Sequence, residues 1–492
     1  MTKKNMMKKS VVVRIMAVAF GLFVMVANPL FSQSDSRYNS GLNLPFNEKA
    51  GDLNPQTGSV TVQATDVSLS GRAGMDFTFG RVWTTSASNV FAMSEDATTG
   101  ENRLSTDTVE SRTRLGVGWT STVPMIYDDL SSGTLVRYLF LNGSAYELDQ
   151  TGMGVKNAQK SNILWYDYLD KRVYLDSGIA YGDRAGFSQA ELAPYGVADI
   201  SSARSRYVLI FQDNSKYWFR ADGKVMMQED RTGLNKIWYY YDEDARLRLV
   251  VDTLERKIRF AYDGAGNLGS VSWDVTTWEK DASGNRAKIT ATRTVRYEYE
   301  SLSDASKYPV SAWIRKDAIG AGTPHALVRA IDPMGHATEY AYTEGKAGFT
   351  YNDATSHSTN AYLLLTRERG VARSNGEYLN ERDWEYNNTD PDETNPKIWR
   401  KYFYSGYMEY FKATREYARD RHGRIMDDTA ASYYENGENG NSQCYTAVLA
   451  RGGVKTEYKY SISGTKSRDD VLDTLTVKTT DGFVQLTDYT YN

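Results

Sequence analysis

With Cys444 as its one thiol, this chain of 492 residues can form no internal disulfide, and its stability must come from packing and strand pairing. The same shortage removes any cysteine pair that could hold zinc, and the four histidines, His325, His336, His357 and His422, are widely separated. HExxH, GxSxG, a P-loop and a dinucleotide fingerprint are all missing. A basic surplus is missing too. Lys and Arg number 58 against 62 Asp and Glu, for a formal net charge of −4, which argues against a nucleic-acid surface. Past the first thirty or so residues, no apolar run reaches the length of a membrane-spanning helix. Each histidine reads as a loop or strand residue, and Cys444 as a strand or loop thiol.

Tyrosine is plentiful, at 36 residues, and its placement is ordered. Tyr217-Trp218-Phe219, Tyr239-Tyr240-Tyr241 and Phe260-Ala261-Tyr262 each set two aromatics two positions apart, and these triplets follow one another at intervals of 22 and 21 residues. Residues i and i+2 of a strand share a face, so Tyr239 and Tyr241 line one side and Tyr240 the other; Ile258, Phe260 and Tyr262 likewise share a side. A polar turn follows each triplet, then a glycine or alanine and an aliphatic: Gly223 to Val225, Ala245 to Leu247, Gly266 to Leu268. Leu247, Leu249 and Val251 alternate with Arg246 and Arg248, which predicts a half-buried strand. Two short strands and two turns make a unit that is marginal alone. Repeated in series, such units share a sheet and bury a continuous aromatic face.

The best-formed stretch, Tyr239 to Leu247 and Phe260 to Leu268 with Tyr241-Asp242, Tyr262-Asp263 and Gly266-Asn267-Leu268, resembles the YD repeat of the Rhs family. That family includes bacterial Rhs toxins, shell components of Tc toxins and the barrel of teneurins. Asp230-Arg231-Thr232-Gly233-Leu234-Asn235 is similar to the family's D-x-x-G-N step, with Leu234 in place of the usual Asn. Gly58-Ser59-Val60, Gly71 to Asp76 and Leu115-Gly116-Val117-Gly118-Trp119 resemble the opening of such proteins. The resemblance implies an all-β fold: a YD-repeat spiralling antiparallel β-sheet, forming a partial shell or barrel, with variable loop insertions.

In chain order, residues 1–32 carry Lys3, Lys4, Lys8, Lys9 and Arg14 ahead of the apolar run Ile15 to Ala27, and read as an export signal. Cleavage removes five positive charges and leaves no membrane-spanning segment; retention as an anchor is the alternative. Residues 33–56 form a flexible leader. Residues 57–114 are a β entry region, with strands at Val60 to Val67 and Met75 to Phe79 around the Gly71 to Gly74 turn, then a stretch from Ser86 to Arg114 expected as a long loop or a short helix. Residues 115–492 form the repeat sheet, clearest at 217–274. Within it, hairpins are expected over Asn142-Gly143, Asp213-Asn214 and Asp281 to Asn285. Ala190 to Ser202 is a loop crossing or short helix. Later doublets are Tyr297/Tyr299, Tyr340/Tyr342, Tyr458/Tyr460 and Tyr489/Tyr491, and Asn387 to Pro396 is an insertion.

For function, these residues assign no catalytic, cofactor or metal site. The acidic clusters Asp242-Glu243-Asp244 and Asp390, Asp392, Glu393 could chelate calcium but read first as solvated turns. The aromatic doublets could stack on a glycan but read first as core or shell lining. The expectation is an exported, non-enzymatic protein, secreted, periplasmic or at the cell surface, forming part of a β-shell and standing as the front part of a toxin-encapsulating system. A carbohydrate- or protein-binding module is the alternative, and a glycoside hydrolase has no motif behind it. Expected partners are a downstream polypeptide that completes the shell, or homotypic edge pairing through Val471 to Tyr491, with a glycan as a further candidate and no nucleic acid.

Overall fold

The computed structural model describes residues 53–54, 58–95, 102–105, 114–129, 136–141, 144–148, 163–166, 172–175, 178–184, 186–280, 286–304, 307, 324–351, 357–372, 376–387, 399–403, 406–410, 412–436, 444–451, 453–461, 471–479, 482 and 484–488. The expected signal, all but two residues of the expected leader, the acidic cluster at Asp390 and the Tyr489/Tyr491 doublet lie outside them.

One turn, used again and again, builds the sheet. At Asp242 the backbone N–H donates to the Arg246 carbonyl at 2.9 Å, Ala245 N–H returns to the Asp242 carbonyl, and Arg246 N–H donates to the Asp242 carboxylate. Asp252 with Arg256, Asp263 with Asn267, Asp332 with His336 and Asp420 with Arg424 repeat the same three bonds. A short carboxylate that accepts from the chain ahead of it is what makes aspartate a turn former. The fourth position of the turn takes a positive φ: 86° at Gly266, 89° at Gly335 and 75° at Gly423, but also 57° at Ala245 and 62° at Glu255. This is the three-residue hairpin loop closed by a left-handed residue.

A slip in register accompanies the turns at Asp242, Asp263 and Asp420 and recurs at the doublet Tyr297/Tyr299. Tyr240 faces Leu249 but Tyr241 faces Leu247; Ala261 faces Ser270 but Tyr262 faces Leu268; Glu298 faces Arg329 but Tyr299 faces Leu327. Thus the second aromatic of each doublet sits opposite a β-bulge, where one residue of the returning strand is left over.

The large sheet runs antiparallel from the strand Ile163–Tyr166 to the strand Val484–Asp488, each strand pairing with the next in chain order up to Tyr378–Asn387, which pairs onward with Lys412–Asp420. The long hairpin of Ala337–Tyr351 and His357–Val371 overshoots its neighbours, and its far end is flanked by Gly406–Tyr410 on one edge and Asn89–Glu95 on the other. Among the described residues no pairing returns the last strand to the first. Over the described residues the pairings make a branched ribbon and do not close into a barrel.

Several local expectations hold. Val136–Leu141 and Ser144–Leu148 pair across Asn142-Gly143, Ser205–Ile210 pairs with Lys216–Arg220, and Leu268–Lys280 pairs with Arg286–Ser301. A short helix, Gln189–Leu192, occupies the ambiguous segment, opened by a Ser188/Glu191 capping box. Two expectations fail. The stretch after Ser86 forms strands, Asn89–Glu95 and Asn102–Ser105, because the overshooting hairpin offers them an edge. The strand Leu247–Val251 is buried on both faces instead of one, since Tyr181, Leu192 and Val197 cover its outer side together with Trp238 and Tyr240.

The doublet face is covered by a separate three-stranded sheet of Thr61–Leu69, Phe77–Thr84 and Trp119–Ser121. Val62, Phe77, Phe79, Trp83 and Trp119 share one core with Tyr239, Tyr241, Phe260, Tyr297 and Tyr340. The Leu115 to Trp119 motif makes the junction. Gly116 (φ 89°) lies where a Cβ would come within 2.9 Å of the Leu327 nitrogen, and at Gly118 (φ 83°) a Cβ would meet the Trp83 indole at 2.2 Å. Val117 N–H donates to the His325 carbonyl. Glycine is required at both places by conformation and by contact.

Candidate functional site

Arg81 stands at the centre of the packed face. Phe77, Phe79, Arg81 and Trp83 alternate inward along their strand, so a cation occupies a core position between aromatics. Its partner is delivered by a bulge. Thr65 pairs with Gly80 and Val67 with Phe79, which leaves Asp66 as the extra residue and turns its carboxylate inward beside Val67. Arg81 Nε and Nη2 donate to Asp66 at 2.8 and 3.1 Å, with the two side chains only 3% and 7% exposed.

The large sheet completes this site. Tyr297 donates its hydroxyl to Asp66 Oδ2 at 2.8 Å, Arg81 Nη1 donates to the Tyr340 hydroxyl, and Trp119 Nε1 donates to the Tyr342 hydroxyl at 2.9 Å. The guanidinium also lies 5.1 Å from the Trp119 ring centroid, 5.8 Å from Tyr297 and 5.3 Å from Tyr340. Burial by itself would depress the Arg81 pKa, but the charge interactions with Tyr340 and Asp66 outweigh it and hold Arg81 well above its usual value. Burial pushes the Tyr297 and Tyr340 hydroxyls far up, so both stay neutral, Tyr297 donating to Asp66 and Tyr340 accepting from Arg81. With no opening to solvent, this cluster fastens one sheet to the other.

A second regularity runs along the same face. Tyr241 donates its hydroxyl to the Val225 carbonyl, Tyr262 to Leu247, Tyr299 to Leu268 and Tyr342 to Leu327, at 2.5 to 3.1 Å. Each acceptor is the bulge residue opposite the second aromatic of the preceding doublet: Val225 faces Phe219, Leu247 faces Tyr241, Leu268 faces Tyr262 and Leu327 faces Tyr299. A bulge disrupts the local ladder, and a hydroxyl aimed at its carbonyl supplies the bond. The four repeats from Tyr241 to Tyr342 are thereby each bonded to the one before.

The outer face of the later strands is ionic. Glu381 and Asp383, both buried, share Arg367, whose Nε lies 3.3 and 2.8 Å from them, and Arg369 reaches Glu381 at 2.9 Å. Burial, acting against Arg367, raises the Asp383 pKa.

The other residues singled out in the sequence are dispersed. His325, His357 and Cys444 each begin a strand, and His336 and His422 occupy turns. Asp242 is engaged by Arg246 and Arg248 at 2.8 Å each, and Asp244 by Arg246 at 2.7 Å, so this turn is an ion-paired cap rather than a cation loop. Among the described residues no group of three or more His, Cys, Asp or Glu is placed to hold a metal. Tyr239, Tyr241 and Phe260 are buried at 4% exposure each, which closes that face to a sugar. A cavity of about 230 Å³ at the seam of the two sheets is lined by Phe79, Leu247, Phe260 and Tyr262 with Arg114 and Arg246, and Arg246 is already committed to Asp242 and Asp244. Sequence reading missed Arg81 and Asp66; the one available signal was an arginine at an inward position of an aromatic-alternating strand.

No family model and no curated protein matches the chain. Solved structures with some likeness include a porin-like protein from Bacteroides uniformis ATCC 8492, at 10% identity, covering 52% of this chain and 82% of that one with a TM-score of 0.17. The complex TcdB2-TccC3-Cdc42 is 11% identical over 86% of this chain and 21% of that one, with a TM-score of 0.15. TcdB2-TccC3 without its hypervariable C-terminal region gives 9%, 87%, 21% and 0.14. This chain spans about a fifth of the length of those last two. Superpositions this loose carry no weight for fold or function.

Proposed function

We propose that the chain is an exported, non-enzymatic scaffold: a YD-type sheet that curls into part of a shell or surface structure and meets a further polypeptide that completes the assembly. The observation carrying this reading is the hydroxyl-to-bulge chain from Tyr241 to Tyr342. It spends the aromatic doublets on linking repeats and on packing against the N-terminal sheet, which is the work of a scaffold wall. The motif residues supply the YD reading, and the apolar N-terminal run supplies export to the periplasm, the cell surface or the medium. A role as front part of a toxin-encapsulating system follows from the same motif.

The test is the size and protease resistance of residues 33–492, by scattering and limited proteolysis, alone and with the polypeptide encoded beside it. Protection and compaction gained only with that neighbour support the proposal. A compact, fully protected particle that ignores the neighbour sinks it in favour of a self-contained binding module.

A further inference from the structure

The hairpin of Leu268–Lys280 and Arg286–Ser301 is much longer than its neighbours. On one side the pairing with Lys257–Tyr262 ends at Ser272, and on the other the pairing with His325–Ile331 begins at Arg296, whereas the two hairpin strands stay paired with each other out to Lys280 and Arg286. From Asp274 to Lys280 the arm therefore extends roughly 23 Å past the sheet, at about 3.3 Å per residue, with both edges unpaired among the described residues.

Its two edges differ in kind. The returning strand carries Arg286, Lys288 and Arg293 along the arm, all exposed, and charge of one sign is how natural proteins keep a free edge from pairing. The outgoing strand carries charges of both signs at its ends and none between them: Val275-Thr276-Thr277-Trp278 is an uncharged run of strong strand formers, with Thr276 and Thr277 exposed and Trp278 66% exposed. Asp274, which holds Arg259 at 2.8 Å and Thr292 at 2.7 Å within its own chain, lies near one end of this edge, and Glu279 and Lys280 lie at the other.

We infer that this edge pairs with the same edge of a second copy, forming a two-fold antiparallel joint centred on Thr277. A two-fold axis normal to the sheet keeps like faces together, so residues n and m can oppose only if their sum is even. Centring on Thr277 uses the whole free edge. It sets Asp274 of each copy opposite Lys280 of the other, and Thr276 opposite Trp278, so two opposite-charge pairs flank two aromatic–β-branched pairs on one face. The joint satisfies the open backbone groups and covers the indole. A centre at Thr276 or Trp278 loses the Asp–Lys match.

The experiment uses the full chain in a Cys444→Ser background. Thr277→Cys should cross-link into dimers under mild oxidation, and a nitroxide at the same cysteine should report a short inter-copy distance; Thr290→Cys, on the guarded edge, should do neither. Light scattering at the highest soluble concentration should show a dimer whose dissociation constant rises about tenfold in Lys280→Asp, where like charges oppose each other. Thr276→Pro, which removes a backbone donor that faces the free edge and leaves the Thr277–Ile289 pairing of the hairpin in place, should abolish it. Circular dichroism confirms that these arm variants keep the sheet. A chain that remains monomeric at every concentration overturns the inference. So does a dimer that survives Thr276→Pro and is lost instead on altering Val484–Asp488, the outermost strand of the ladder.

Discussion

Removing the Asp66 carboxylate while leaving Arg81 in place should be among the most damaging single changes this fold can suffer. In Asp66→Ala the guanidinium keeps the Tyr340 hydroxyl and three aromatic faces but loses both of its bonds to a counter-charge, at a site 3% exposed where water cannot substitute. An arginine cannot escape by losing its proton. Breaking a buried pair from one side costs about 3–5 kcal/mol, and cation–π contact recovers only about 0.5–2 kcal/mol per ring, already present in the parent. The Tyr297 hydroxyl loses its acceptor as well. The expected loss is about 3–5 kcal/mol, read from urea midpoints at constant slope, with Trp83 and Trp119 in the same core as fluorescence reporters. Arg81→Met combined with Asp66→Leu removes both charges and should recover at least half of that loss, because the pair is costly to bury as well as costly to break. A loss below about 1 kcal/mol in Asp66→Ala, or a double variant as unstable as the single one, would refute the claim that a buried charge pair fastens the two sheets.

The remaining predictions concern the repeat itself. Tyr241→Phe, Tyr262→Phe and Tyr299→Phe should each cost about 1–2 kcal/mol in denaturant melts, for a bulge carbonyl left without its donor. Ala245→Gly and Glu255→Gly should raise stability by roughly 0.5–1 kcal/mol, since both parents hold a left-handed φ that costs an L-residue about 1–2 kcal/mol and glycine gives part of that back as unfolded-chain freedom. Acid should loosen the turns in a defined window. Hydrogen bonds from Asn235 and Thr232 outweigh burial and hold Asp230 down at about 2, and bonds and charge from Arg424 do the same for Asp420. A depressed folded pKa contributes stability above the ordinary value of 3.8 that is lost as pH falls to about 2, so Asp230→Asn with Asp420→Asn should flatten the melting-temperature profile across that window.

What could be read from the sequence was whatever a single repeat contains. Tyr239, Tyr240 and Tyr241 do part to opposite faces, the Asp213-Asn214 turn does close a hairpin, and the strands flanking 142–143 and 281–285 do pair, because each follows from local geometry. The misses all involve a partner far along the chain. Leu247–Val251 alternates like a strand with one wet face, yet it is covered by Tyr181 and Val197 from a segment with no periodic signal. Asn89–Glu95 is a strand because a hairpin some 270 residues later leaves an edge for it to use.

The bulges bring these two observations together. An aspartate turn closed by a left-handed residue is visible in sequence, but the slip beside the second aromatic, which leaves a carbonyl for the tyrosine one repeat further on, appears only when the strands of consecutive doublets lie side by side. The doublet spacing is therefore not just a period of hydrophobicity. The first aromatic packs and the second both packs and bonds, which explains why Tyr241, Tyr262, Tyr299 and Tyr342 share the second position while the first is Tyr or Phe. The same bulge geometry, used once in the N-terminal sheet at Asp66, delivers a carboxylate in place of a carbonyl to the interior, and Tyr297, a first-position aromatic, answers it. One backbone device thus accounts for both the linkage between repeats and the lock that holds the smaller sheet against them. A phenylalanine series at the second positions should weaken the ladder while leaving the Arg81–Asp66 lock in place, so the two kinds of loss can be told apart by whether proteolysis begins in the ladder or in the N-terminal sheet.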